Sequence, residues 1–104
     1  MTLPAFQQLV QQFVAQQQLE TSVPTRLLDL VSEVGEVSKE ALKGSNYGRQ
    51  PFHPTPEWAN ELGDVFFSLI CVANSTHVDL ELALHEVLGK YERRLAQKGD
   101  VGSA

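Results

Sequence analysis

Two five-residue stretches echo one another: Glu33-Val34-Gly35-Glu36-Val37 and Glu61-Leu62-Gly63-Asp64-Val65. Each reads acid, aliphatic, Gly, acid, Val. Acids three apart meet only on a helix, where residues three or four apart share a face. The chain must therefore place two acidic stripes on two helices. Glu33, Glu36 and Glu40 line the first, with Asp29 beside them. Glu57, Glu61, Asp64 and Ser68 line the second. At about 100° per residue, each stripe borders an apolar face. Val37 and Leu30 are its apolar neighbours on one helix, Val65 and Trp58 on the other.

Apolar periodicity predicts four helices and no strand. The first spans about Pro4 to Gln18, with Phe6, Leu9, Val10, Phe13 and Val14 on one face and a Gln-rich surface (Gln7, Gln8, Gln11, Gln12) on the other. The second runs from about Pro24 to Lys43, and Gly44 ends it. A long polar, Gly- and Pro-containing loop follows, carrying Tyr47, Phe52 and His53. Thr55-Pro56-Glu57 predicts the start of the third helix, with Thr55 as N-cap. Apolar residues nearly encircle that helix, so it should lie centrally. Asp79 is the expected N-cap of the fourth, whose stripe is Leu82, Ala83, Val87, Tyr91 and Leu95. The expected architecture is all-α: a four-helix, bundle-like single domain over residues 1–98, with a flexible tail at 99–104.

The acidic stripes carry an electrostatic cost. Like charges at i, i+3 or i+4 destabilise a helix by roughly 0.2–0.5 kcal/mol per exposed pair, and burial raises that. Lys39 and Lys43 project from the opposite edge of the second helix, so few cations stand ready to relieve it. A divalent cation would. Carboxylates on facing helices suit Mg2+, a hard ion that keeps waters and substrate phosphates as further ligands, with Mn2+ a possible substitute. Gly35 and Gly63 each weaken a helix interior by about 0.8–1.0 kcal/mol relative to Ala. Their paired placement suggests close backbone approach. A single Glu-x-x-Glu is ordinarily a solvated helix face; the doubled motif with Gly in both argues for a metal site.

Composition narrows the partners. The 104 residues carry a net charge of −5, so a nucleic-acid polymer has no general attraction for the chain. An anionic small molecule bridged by a cation remains. The lone Cys71 permits no internal disulfide and reads as a buried core thiol. With no leader-like N-terminus and no apolar run that could span a bilayer, the expectation is a soluble, cytoplasmic protein that does not engage a membrane.

Glu33-x-x-Glu36, a spacer, then Glu61-x-x-Asp64 resembles the MazG-like, all-alpha nucleoside triphosphate pyrophosphohydrolases, relatives of the dimeric dUTPases and dCTP pyrophosphatases. The resemblance runs from about Leu27 to Leu95. It implies Glu33, Glu36, Glu61 and Asp64 as Mg2+ ligands, hydrolysis of a nucleoside triphosphate to monophosphate and pyrophosphate, and a homodimer or homotetramer. Glu33 or Glu36 is the candidate general base. Lys90 and Arg94, on one face late in the fourth helix, are candidate phosphate ligands, alongside a role at the helix C-terminus. Trp58 could stack on the base or belong to the core. Two rivals remain. A ferritin-like di-iron bundle needs Glu-x-x-His on two helices, and no His stands at that spacing. A non-enzymatic helical interaction module would leave the acids as mere surface.

Overall fold

Three of the four helices open on a side chain that caps them. The Thr2 hydroxyl accepts the Ala5 N–H at 3.2 Å at the head of α1 (Leu3–Gln16). Ser22 does the same for Thr25 at the start of α2 (Val23–Gly44). Asp79 accepts from both Glu81 and Leu82 at the start of α4 (Leu80–Lys98). Such caps satisfy N–H groups that a helix cannot pair internally. The exception is α3 (Trp58–Ser75), whose N-cap position is Glu57 with no side-chain cap. Thr55, expected there, instead donates its hydroxyl to Glu40 at 2.6 Å.

The computed structural model describes residues 1–102, and the described residues contain helix and loop without strand. The helices are the four expected, with ends within about two residues of those read from sequence. No single helix among them is long and apolar enough to cross a membrane. Residues 99–102 fold back on α4: Gly99 adopts a left-handed φ of 78°, and Arg94 donates to the Val101 carbonyl at 2.9 Å. The rest of the predicted tail, 103–104, lies outside the described residues.

α2 and α3 form the central pair, and they run antiparallel. Along α2 the sequence Arg26, Glu33, Glu40 meets Cys71, then Glu61 and Asp64, then Thr55. α1 packs on α3, with the Phe13 ring edge-on to Phe67 at 6.2 Å. The most buried apolar residues, Ile70, Cys71 and Ala73, all belong to α3, as its encircling apolar pattern requires. The chain then bends by 102° between α3 and α4, and α4 packs mainly against α1. The bundle is open on that side. The radius of gyration is 16.8 Å, against about 13 Å for a compact chain of this length.

A reciprocal amide clamp fixes the bend. Gln7 of α1 donates to the Asn74 side-chain oxygen at 3.0 Å and to the Val78 carbonyl at 2.8 Å, and accepts the Leu80 N–H at 2.9 Å. Asn74 returns a bond to the Gln7 carbonyl. Gln7 is buried, so the Gln-rich face of α1 is not uniformly solvated as its composition suggested.

Candidate metal and nucleotide site

The antiparallel pairing brings the two acidic stripes face to face. Glu33 of α2 and Glu61 and Asp64 of α3 each offer a carboxylate oxygen, all within 4.8 Å of one another. Glu33 and Glu61 are half-buried and Asp64 is exposed. Burial pushes the Glu61 carboxyl above its ordinary value, and the charges of Asp64, Glu36, Glu33 and Glu40 push it further the same way. Carboxylates clustered this closely on facing helices are a donor set for a hard divalent cation.

Glu36 stands outside that trio. Its carboxylate lies 3.8 Å from Lys39, one turn on. Lys43 likewise reaches Glu40 at 3.2 Å. The expectation that both lysines point away from the acids is therefore wrong. A lysine three residues on leans its flexible stem back across the helix surface, which α-carbon angles alone do not register. These exposed pairs supply little stabilisation, and neither lysine is within ion-pair distance of Glu33, Glu61 or Asp64.

Glu40 departs from its stripe-mates. It is 6% exposed, and its two oxygens are held separately, by the Thr55 hydroxyl and by Lys43. The Thr55 hydrogen bond is the main cause that holds its pKa below the ordinary value. The contact ties the 45–57 loop to α2. At the same end Gly44 is the last helical residue, and a Cβ there would collide with the His53 carbonyl and the Phe52 ring. His53 N–H also donates to the Gly44 carbonyl at 2.9 Å. Gly44 thus permits a close return of the loop. Gly35 and Gly63 do not: nothing lies within 4 Å of a Cβ at either, so the close approach expected at the paired glycines is absent within the chain.

Trp58 opens α3 half-buried and packs on Phe52 of the loop, ring centroids 4.9 Å apart. Lys90 and Arg94 each lie over the Tyr91 ring, at 5.2 and 6.0 Å from its centre. Among the described residues neither forms an ion pair with the acidic trio. Lys90 instead shares a shallow cavity of about 190 Å³ with Arg93 and Glu86. His53, His77 and His85 are exposed.

One cavity is lined by residues not singled out from the sequence as site residues. It measures about 460 Å³ and is bounded by the end of α1, the start of α2 and the end of α3, with Arg26, Cys71, Asn74 and Ser75 in its wall. Arg26, only 8% exposed, donates to the Leu19 carbonyl. The available signal was spacing: Arg26 precedes Glu33 by seven residues, two turns along the same helix face.

A sequence profile described as the MazG nucleotide pyrophosphohydrolase domain matches residues 21–97. YpjD of Bacillus subtilis (strain 168) is 37% identical over 68 residues, which is 62% of this chain; the chain spans 60% of that relative's length. Two solved structures share the fold. One, described as the Bacillus-conserved MazG protein, a nucleotide pyrophosphohydrolase, superposes with a TM-score of 0.74 at 32% identity, over 88% of this chain and 89% of that one. The other, the YpjD structure from Bacillus subtilis, gives 0.74 at 29% identity, over 88% and 95%. With its acid-bearing α2 and α3 and nearly all of α4 inside the matched region, the chain belongs to the MazG nucleotide pyrophosphohydrolase domain family.

Proposed function

We propose that this chain hydrolyses a nucleoside triphosphate to the monophosphate and pyrophosphate, with Mg2+, or Mn2+ in its place, bound by Glu33, Glu61 and Asp64 and flanked by Glu36. The carrying observation is the carboxylate trio drawn from facing helices within 4.8 Å. The cation's part would be to neutralise phosphate charge and acidify a water. Glu33, Glu61 and Asp64 would hold that cation. Glu36 lies beside the trio with its carboxylate uncommitted except to an exposed lysine, which makes it the group to accept the attacking water's proton. Phosphoryl chemistry of this kind rests on positioning and charge stabilisation more than on a covalent step. Lys90 and Arg94 are assigned to the phosphates in the assembled protein, Arg94 by its forked donors.

The exposed surface favours a homodimer or homotetramer. The protomer exposes 7555 Å², where a monomer of its mass exposes about 5,800 Å². The excess of roughly 1,700 Å² is what a protomer buries in an obligate homo-oligomer. Leu28 at 71%, Val31 at 65% and Leu82 at 63% exposure are apolar side chains of the kind a second copy would cover.

The position of attack is tested by running the reaction in oxygen-18 water. Attack at the α-phosphorus puts the label in the nucleoside monophosphate. Label in orthophosphate, with diphosphate as co-product, overturns the proposal. The chain has no Gly-rich Walker loop ending in Lys-Ser/Thr to cradle a terminal phosphate.

A further inference from the structure

Seven residues make two helical turns, so side chains seven apart share a face and stand about 10 Å apart along the axis. Arg26 precedes Glu33 by seven on α2. Cys71 follows Asp64 by seven on α3. Because the helices are antiparallel, both steps lead the same way along the α2–α3 seam. They arrive at one place. Burial raises the Cys71 thiol's pKa, and Arg26 lies near enough for its charge to pull the other way. That place is the 460 Å³ cavity.

Arg26 is unusual there. It is buried to 8% exposure, and among the described residues its guanidinium has no carboxylate within 4 Å. Its hydrogen bond is to a neutral carbonyl, that of Leu19. A guanidinium carries five donors, and no side-chain nitrogen among the described residues is both buried and unpaired, so the donors Arg26 does not spend on Leu19 are accessible to a ligand. Val14, Ala15 and Val23 supply apolar wall to the same cavity, and Glu20 a carboxylate. The cavity therefore combines apolar wall with unspent, strongly directional donors, two turns from the carboxylate trio.

We propose that this cavity is the nucleobase subsite, and that Arg26 donates to a carbonyl oxygen on the base; the assignment rests on the reading of Glu33, Glu61 and Asp64 as the phosphate-binding metal site. A nucleotide whose α-phosphate sits at the trio spans two helical turns with its pentose and puts its base in the cavity. Apolar walls cover the faces of the ring. Arg26 meets O6 of guanine, an acceptor arginine recognises on base edges, or the carbonyl O2 of a pyrimidine. Adenine has no carbonyl, so the site disfavours it.

The test uses the intact protein. Steady-state kinetics are measured with the guanine, cytosine, uracil and adenine triphosphates on wild type, Ala15→Trp, Ser75→Phe and Arg26→Lys, with circular dichroism to verify folding. Ala15 and Ser75 are exposed residues that line the cavity from α1 and α3, so bulk at either fills it without entering the core. Both variants should raise KM roughly tenfold or more for every nucleotide, with a smaller change in kcat. Binding of Mg2+-pyrophosphate by calorimetry, which needs the acids and no base, should stay as in wild type. Wild type should use adenine triphosphate roughly tenfold to a hundredfold less well than the best carbonyl-bearing base. Arg26→Lys, still able to reach the Leu19 carbonyl, should narrow that gap. An active wild type whose KM is unmoved by both filling substitutions overturns the subsite. Equal use of adenine, or discrimination unchanged in Arg26→Lys, overturns the role of Arg26. A wild type that binds neither Mg2+ nor pyrophosphate overturns the metal-site reading, and the subsite with it.

Discussion

Gln7→Leu removes the amide that joins α1 to the α3–α4 turn. Leucine fills similar space but leaves the Val78 carbonyl and the Leu80 N–H without the partners seen at 2.8 and 2.9 Å. It also ends the 3.0 Å bond to the Asn74 side chain. A buried polar group left unpaired costs about 1–3 kcal/mol. These bonds are part-buried, so water recovers some of that, and a total of about 2–4 kcal/mol is expected. Against a whole-domain stability of about 5–15 kcal/mol, this is a large share, equivalent to a fall in Tm of roughly 10–25 °C. Urea unfolding followed by far-ultraviolet circular dichroism measures it, at one fixed protomer concentration because assembly shifts apparent stability. Asn74→Ala closes a double-mutant cycle, in which contacting residues should couple by about 0.5–3 kcal/mol. A loss below about 0.5 kcal/mol, with no coupling, would refute the claim that the clamp holds the turn.

Asp64→Asn and Glu36→Gln should each abolish pyrophosphate release while cation-free stability holds or rises, since each relieves repulsion; full turnover in either variant removes that residue from the site. The Glu61 pKa is raised in the folded chain, so the folded state holds a proton that the unfolded state gives up first. Stability without cation should therefore fall as pH rises from about 4.5 through the folded value, and saturating Mg2+ should flatten that part of a Tm–pH curve. Glu40 has the opposite sign: its pKa is lowered, so its contribution is complete above its unfolded value and is lost as pH drops through the folded one, and Glu40→Gln should remove that acid limb. Gly44→Ala should destabilise by about 1–3 kcal/mol through overpacking against the returning loop, whereas Gly35→Ala, with open space around it, should gain up to about 1 kcal/mol of helix propensity; thermal melts that rank the two the other way contradict the geometry.

What could be read in the sequence was local. Asp79 caps its own helix, so the N–H groups it serves are two and three residues away. The periodicity that made α3 central is a property of α3 alone. The acidic trio was legible because both of its helices carry the motif. Partners distant in sequence were not. Thr55 looks like an N-cap until Glu40, fifteen residues earlier, takes its hydroxyl. Gln7 looks like solvated surface until residues about seventy positions on supply its three partners. Lys39 and Lys43 failed for a different reason: a long flexible side chain covers more of the helix than its backbone position suggests.

The 102° turn between α3 and α4 bears on how the chain reaches its native state. Contacts within α2–α3 join neighbouring segments, and such local pairing forms fast. α4 cannot finish on that schedule. Leu84, Leu88 and Leu95 are each about half exposed, and the chain's own packing leaves that surface open. If a second copy supplies the missing surface, the last phase of refolding is a collision between chains. Its rate should rise in proportion to protein concentration, while the phase that pairs α2 with α3 ignores it. At high dilution the chain would then linger with an ordered centre and an unsettled arm, the form most exposed to a protease during synthesis.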